Sequence, residues 1–304
     1  MSIYDDVLAA GARRPARLSE LTASEVDQAI ARQAAIGVVV GSVEQHGPHL
    51  PLATDLYIPQ AILNHLTLVM DCVTAPPIPY GCRSMPQTGG GEFFGGNLSV
   101  DGSVLGSFVE AVIVQIIRLG FTRILLLSWH WENMRVLWEA GVRAYETVRH
   151  PEVTITVIDN PGQLISATTI VRVFGENFAG WDLEHSSIAE TSLMQWLYPD
   201  LVRGHLIVDD APQGVVPYEV IPANKDRAPR SGVFGPATQA SPDKGDLLAR
   251  DLTEGIAEIL SRELHVVRAN LAPALGGRTV GRAQEGEQRL ASSHAPGAAD
   301  AGEI

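Results

Sequence analysis

Residues 36 to 55 read IGVVVGSVEQHGPHLPLATD, an apolar run that leads directly into a group of polar side chains. The run from Ile36 to Val40 is short and rich in β-branched residues, which is typical of a buried strand. Glu44, His46 and Asp55 follow it. Open α/β sheets bind ligands at the C-terminal ends of their strands, and residues two apart in an extended chain point to the same side. The stretch therefore predicts a strand end where Glu44 and His46 reach one point, as metal ligands do.

A second strand end gives this prediction its weight, because a Glu-x-His pair alone is better explained by a polar loop. The apolar run from Ile124 to Ser128 also predicts a buried strand, and His130 and Glu132 come directly after it. With both strand ends at one edge of the sheet, five candidate ligands gather there. Nitrogen and oxygen ligands suit two divalent ions such as Zn²⁺ or Mn²⁺ that share a carboxylate. Such a centre activates water for hydrolysis.

Composition limits the class of protein. The chain has 304 residues, 45% of them hydrophobic and 19% charged, which predicts a soluble globular protein with one large core. A formal charge of -13 argues against nucleic acid and anionic membranes as partners. No apolar run reaches the ~18 residues of a membrane span. Two cysteines ten residues apart and an acidic N-terminus favour a reducing compartment, so we expect a cytoplasmic protein.

The order of elements predicts the fold class. Strands near 36–40, 73–75, 123–128 and 153–158 alternate with helical patterns, which is typical of a parallel sheet with helices on both faces. We expect a single domain over residues 1–267 and a disordered tail over 268–304, where large apolar residues are scarce. Residues 80–97 form a glycine-rich loop. A loop of this length is either functional or a surface excursion, and the sequence alone leaves both open.

Several motifs together resemble those of a known family, the creatininases. The resemblance covers about residues 30–265. The matching motifs are Gly41 to Pro51, Asp55, Gly89-Gly90-Gly91, Ser99-Val100-Asp101-Gly102, His130-Trp131-Glu132-Asn133, Trp181 to His185, Glu190 to Met194, and Ser241 to Leu260.

The resemblance implies a three-layer α/β/α sandwich with a mostly parallel sheet, two Zn or Mn ions, and hydrolytic opening of a small cyclic amide such as creatinine. It also implies a homohexamer assembled from dimers. Carried over by position, Glu44 and His130 would hold one ion and His46 and Glu132 the other, with Asp55 bridging. Related deformylase-like members place a carboxylate three residues after the second histidine, where this chain has Ile188.

The resemblance also implies catalytic roles. A hydroxide held between the ions would attack the ring carbonyl, Glu132 would relay the proton taken from water, and His185 would protonate the departing nitrogen. Taken alone, a histidine such as His185 is more often structural. Four positions match substrate contacts, although the two tryptophans are equally explained as core residues: Ser84, Trp131, Trp181 and Asp182.

The chain departs from the creatininase pattern near the substrate. Ser128 and Trp129 replace an Asn-Gly pair, Phe93 replaces a histidine, and Pro161 falls at or near a tryptophan that closes over the substrate. We therefore expect an intact metal centre and a rebuilt pocket. Two alternatives remain open: a hydrolase of linear amides of the deformylase type, and an inactive member that serves as a binding subunit.

Overall fold

A computed structural model describes residues 2–10, 13–176, 178–212 and 214–269 of the chain. Residues up to Ala269 form one compact unit. The predicted tail lies outside the described residues, apart from Arg268 and Ala269, which pair with Met70 and Val69. The elements are α1 Ile3–Ala10, α2 Ala23–Ala31, β1 Ala35–Val39, α3 Thr54–Leu66, β2 Cys72–Thr74, α4 Gly102–Leu119, β3 Arg123–Leu127, α5 Val136–Val148, β4 Thr154–Ile158, α6 Ala167–Phe174, α7 Ile188–Leu197 and α8 Pro242–Glu263.

The described strands form one sheet in the order β2-β1-β3-β4, and each pair of neighbours is parallel. Val39 at the end of β1 lies opposite Leu127 at the end of β3. Because the two strands end at paired residues, the segments that follow them leave the sheet side by side. The residues of β1 are all buried, as expected for a central strand covered on both faces.

Helices cover both faces, which confirms the predicted three-layer α/β/α sandwich. One face packs against α2, α4 and α5 around a core that includes Ile36, Val38 and Ile124. The other packs against α1, α3, α6, α7 and α8 around Val39 and Leu127. Adjacent residues of β1 point into different cores because side chains alternate along a strand.

Helix α4 is the one described helix whose length and apolar composition would allow a membrane span. The sequence reading expected none, because it looked for an unbroken apolar run and this helix carries Glu110, Gln115 and Arg118. In the structure α4 lies along the sheet. Leu105, Val109 and Ile113 are buried in the core between α4 and the strands, so this helix is a layer of the sandwich.

Both cysteines are free and buried. Cys72 lies on β2 and Cys82 on the loop that follows it. Burial raises the pKa of the Cys72 thiol to about 12 and also raises the pKa of Cys82.

Candidate active site

Two central strands deliver the polar cluster predicted from the sequence. Glu44 and His46 lie on the segment after β1, and His130 lies three residues beyond β3. Asp55 joins them from the first turn of α3, a position where a carboxylate is stabilised by the helix dipole. All four residues are at most 2% exposed.

The ligand atoms form two groups that share Asp55. In the first, His130 Nδ1 lies 2.9 Å from Glu44 Oε2 and 3.2 Å from Asp55 Oδ2. In the second, His46 Nε2 lies 3.3 Å from Asp55 Oδ1 and 3.6 Å from Glu190 Oε2. Within each group the ligand atoms lie within 4.8 Å of one another. Asp55 thus turns one oxygen to each group, as a bridging carboxylate does. A third group of this kind joins Glu44 and His46 with His185.

The hydrogen bonds of the two histidines leave their inner nitrogens free to bind a cation. His130 donates from Nε2 to the carbonyl oxygen of Cys82 at 3.0 Å, and His46 donates from Nδ1 to the carbonyl oxygen of Glu44 at 3.1 Å. The nitrogen that faces the carboxylates is then the one with the lone pair. Metal-binding histidines are fixed in this way, with the outer N–H donated to a carbonyl or carboxylate.

Three buried ligand atoms have no hydrogen-bond partner: Glu44 Oε1, His46 Nε2 and Asp55 Oδ2. Buried polar atoms without a partner are rare and need an explanation. All three belong to the cluster, and nitrogen and oxygen are the ligands of Zn²⁺ and Mn²⁺ in proteins. The residues present therefore fit a pair of divalent ions.

The electrostatics of the cluster also call for positive charge. Burial alone would lower the pKa of His46, but Asp55 and Glu190 outweigh it and hold that pKa well above its usual range. Glu44 and Glu132 do the same for His130. In return, the imidazoles keep the pKa of Asp55 low despite its burial. The buried carboxylates carry an excess of negative charge. Protonation of the two histidines would balance this charge, and so would cations bound between the carboxylates.

Glu190 is a member of the cluster that the sequence reading did not assign as a ligand. It lies in the first turn of α7 and is 3% exposed. At Ile188, three residues after His185, the chain lacks the carboxylate of the deformylase-like members. The matched motif from Glu190 to Met194 was the available signal, because it places a second acid five residues after the histidine.

Glu132 lies elsewhere than predicted. The sequence reading paired it with His46, but its Oε2 lies 3.4 Å from Nε2 of His130, the outer nitrogen of that ring. Its Oε1 accepts hydrogen bonds from the backbone N–H of Met85 at 3.0 Å and from the Thr88 hydroxyl. Glu132 lies in the short helical turn Trp131–Asn133. Glu132 lines the pocket but belongs to neither group around Asp55.

His185 lies against the cluster, with its ring centroid 4.4 Å from that of His46. The side-chain NH₂ of Gln45 donates one hydrogen bond to the carbonyl oxygen of Gly89 and one to that of Gly232, so both of its protons are used. His185 must therefore donate its own Nε2–H to the Gln45 carbonyl oxygen at 2.9 Å, which leaves Nδ1 as an acceptor. Burial, followed by the charge of His46, lowers the pKa of His185 to about 4, so the ring is neutral at pH 7.

A small pocket with a cavity volume of about 40 Å³ opens above the cluster. Trp131, Trp181 and Asp182 line it, together with Trp129 and Pro161. The Trp181 ring packs edge-on against Phe178 and Phe174, so it is held by the core as well as facing the pocket.

Ser84 does not line this pocket. Its hydroxyl accepts a hydrogen bond from the N–H of Gly91 at 3.1 Å, so it braces the glycine-rich loop from within. That loop is part of the site. A Cβ at Gly89 would lie 2.0 Å from Glu44 Oε1, so only glycine lets the backbone pass this close to the carboxylate.

Comparison with known proteins decides the family. The sequence profile described as Creatininase: Creatinine amidohydrolase matches residues 19–260. The protein belongs to the creatininase family. The chain is 32% identical over 250 residues to the creatinine amidohydrolase of Pseudomonas putida, which covers 81% of this chain and 96% of the relative. It is 26% identical over 243 residues to the mycofactocin precursor peptide peptidase of Mycolicibacterium smegmatis, covering 74% and 83% of the two chains.

Solved structures agree with this assignment. A crystal structure of creatinine amidohydrolase superposes with a TM-score of 0.79 and 31% identity, over 83% of this chain and 98% of that one. Solved creatininase structures include a Zn-Zn form and an Mn form. The chain is thus a creatininase-family hydrolase with residue groups that fit metal ions.

Proposed function

We propose that this protein is a metal-dependent amidohydrolase that opens a small cyclic amide, with creatinine as the first substrate to test. The observation that carries the proposal is the pair of ligand groups joined by Asp55 at the floor of a pocket walled by indole rings. Similarity to the Pseudomonas putida enzyme over most of both chains supports it.

We infer two ion sites of three protein ligands each. Glu44, Asp55 and His130 would hold one ion, and His46, Asp55 and Glu190 the other. This set replaces Glu132 by Glu190 in the assignment made from the sequence. Two divalent ions in such a centre supply an activated water and stabilise negative charge on the carbonyl oxygen of the substrate.

We assign to His185 both proton transfers of the hydrolysis, from the attacking water and to the departing nitrogen. Because its ring is neutral, it can donate a proton only after it has accepted one. Nδ1 is the free nitrogen, since Nε2–H is donated to Gln45. We infer that Nδ1 takes the proton lost by the attacking water and delivers it to the departing ring nitrogen, which balances the hydrolysis.

Glu132 is the second candidate for the first of these transfers. Its carboxylate lines the pocket, and the Thr88 hydroxyl and the Met85 N–H hold one of its oxygens in place. The other oxygen is the one that would receive a proton.

We infer that the pocket recognises a flat, polar ring. Trp131 and Trp181 offer aromatic surfaces, and the carboxylate of Asp182 can accept hydrogen bonds from ring N–H groups. We assign Ser84 to the glycine-rich loop and not to the substrate, because its hydroxyl accepts a hydrogen bond from the Gly91 N–H. Trp129 and Pro161 also line the pocket, and both differ from the creatininase pattern, so a related lactam or cyclic urea is as consistent with the walls as creatinine.

A linear amide is the second candidate substrate, because one relative is named as a peptide peptidase. The oligomeric state, for which we expect a homohexamer, and the cytoplasmic location stay predictions.

A hydrolysis screen tests the proposal. The Zn²⁺- or Mn²⁺-loaded protein is incubated with creatinine, hydantoins, lactams and formamides, and products are identified by mass spectrometry. We expect ring opening of at least one cyclic amide, with loss of activity after chelation. Activity on formamides or peptides alone would refute the cyclic-amide proposal, and activity that survives complete metal removal would refute the role of the ions.

A further inference from the structure

Trp129 connects the pocket wall to the ligand cluster. It precedes His130 at the end of β3, is half-buried, and packs against the core that lies beneath α3, α7 and α8. Its indole Nε1–H donates a hydrogen bond of 2.8 Å to Glu190 Oε1. The other oxygen of Glu190 accepts from the backbone N–H of Ser186 at 2.5 Å.

These two donors fix the carboxylate plane of Glu190. A glutamate with one donor can still rotate about its last bond, whereas donors to both oxygens from two different segments hold it still. The fixed orientation turns Oε2 toward Nε2 of His46 at 3.6 Å, which is the second ligand group. Hydrogen bonds to a ligating carboxylate tune metal affinity strongly, because they orient the ligand before the ion arrives.

We propose that Trp129 is a positioning residue for Glu190, and that through Glu190 it sets the affinity of the ion site formed with His46 and Asp55. The inference rests on the proposed function, because it assumes two ions. It also gives Trp129 a role on the metal side of the site, where the sequence reading had treated its bulk as a change in the pocket alone.

The test compares two tryptophans. Trp129→Phe keeps an aromatic ring and removes the N–H donor. Trp196→Phe is the matched control, because Trp196 is also partly buried against the same core, where its ring lies 6.0 Å from that of Tyr4. Metal-free wild type and variants are titrated with Zn²⁺ against a chromophoric chelator, which yields one dissociation constant for each ion. We expect one constant to weaken about 10- to 100-fold in Trp129→Phe, the other to stay unchanged, and both to stay unchanged in Trp196→Phe.

A double-mutant cycle shows whether the effect passes through Glu190. In a Glu190→Gln background, where the charged ligand is already lost, Trp129→Phe should have little further effect. Trp129→His, which keeps a ring N–H, should retain more affinity than Trp129→Phe and serves as the second variant if the first fails to fold.

Several results would overturn the inference: unchanged constants in Trp129→Phe, equal weakening of both ions, the same loss in Trp196→Phe, or full additivity in the cycle. Failure of the proposed two-ion centre looks different, because wild-type protein would then bind fewer than two ions, and failure of the proposed substrate class shows only in the hydrolysis screen. Two ions in wild type together with an unaltered Trp129→Phe would remove the inference alone.

Discussion

The two central strands and the two outer strands of the sheet contribute different things to the same pocket. The segments after β1 and β3 supply Glu44, His46, Asp55 and His130, all buried and all in the ligand cluster. The segments after β2 and β4 supply walls: Thr88 and Gly89 on one side, Asn160, Pro161 and Gly162 on the other.

The difference shows where the chain can vary. The central segments match the creatininase motifs at each ligand position, whereas the departures at Phe93 and Pro161 lie on outer segments. Ser128 and Trp129 are the exceptions, since they follow a central strand and depart from the pattern. Substitutions on central segments should therefore affect metal binding and turnover, and those on the loops directly after β2 and β4 should affect packing or substrate choice. His185 and Glu190 lie farther along the chain, at the start of α7, and belong with the central ligands.

The largest effect is expected from Asp55→Asn. Asp55 turns an oxygen to each ligand group, so its loss should empty both ion sites and bring hydrolysis to background. Metal content by atomic emission and turnover by product release measure this. The matched control is Asp159→Asn, an aspartate of the same pocket on an outer segment, whose carboxylate accepts from the Arg135 N–H. Equal metal loss in both variants would contradict the division between central and outer strands.

His185→Ala should leave both ions bound and lower kcat about 10²- to 10⁴-fold, the usual range for loss of a general acid or base. Glu132→Gln separates the two proton carriers. If His185 makes both transfers, the loss in Glu132→Gln is much smaller than in His185→Ala. A larger loss in Glu132→Gln, with metal retained, would assign the first transfer to Glu132. Full activity of His185→Ala would remove that residue from the mechanism.

Gly89→Ala tests a place where an outer segment lies directly against a central ligand. The new methyl would meet Glu44 Oε1 at 2.0 Å and Ser84 Oγ at 2.5 Å. We expect overpacking to cost about 1–3 kcal/mol of unfolding free energy, measured by urea denaturation, together with weaker binding of the ion held by Glu44. Gly95→Ala in the same loop is the control, because nothing lies within 4 Å of its added methyl. Similar losses in both variants would show that the loop, and not the contact with Glu44, is responsible.

The smallest effect is expected from Ser84→Ala. It removes the hydrogen bond to the Gly91 N–H, which should cost about 1 kcal/mol of stability, and it should leave KM unchanged. A clear rise in KM at unchanged stability would instead support Ser84 as a substrate contact, as the family resemblance implies. Asp182→Asn, which alters a side chain that does line the pocket, should raise KM and provides the comparison.

The fold and four of the five candidate ligands, all except Glu190, were accessible from sequence because their signals are local. β1 and β3 are short apolar runs, and their polar residues follow within a few positions, so parallel pairing alone brings Glu44 and His130 together. Ser241 caps α8 by accepting a hydrogen bond from the N–H of Lys244, and a serine followed by proline in the first turn is a local signal of a helix start.

The remainder depends on tertiary packing. Glu190 joins the cluster only because α7 packs against α3, and nothing near it in sequence says that His46 will be its neighbour. Glu132 lies on the outer side of the His130 ring. This position depends on the Trp131–Asn133 turn and on a hydrogen bond from Thr88, which is more than forty residues away in sequence. Periodicity and spacing do not carry that information.

The burial of both thiols bears on how the enzyme can be handled. Alkylating reagents and peroxides react with the thiolate form of cysteine, and the raised pKa values of Cys72 and Cys82 keep that form scarce at neutral pH. Purification should not require a reductant, which would otherwise compete for zinc. A single cysteine introduced on the exposed surface could then carry a fluorescent or spin label selectively, with the two native cysteines left in place.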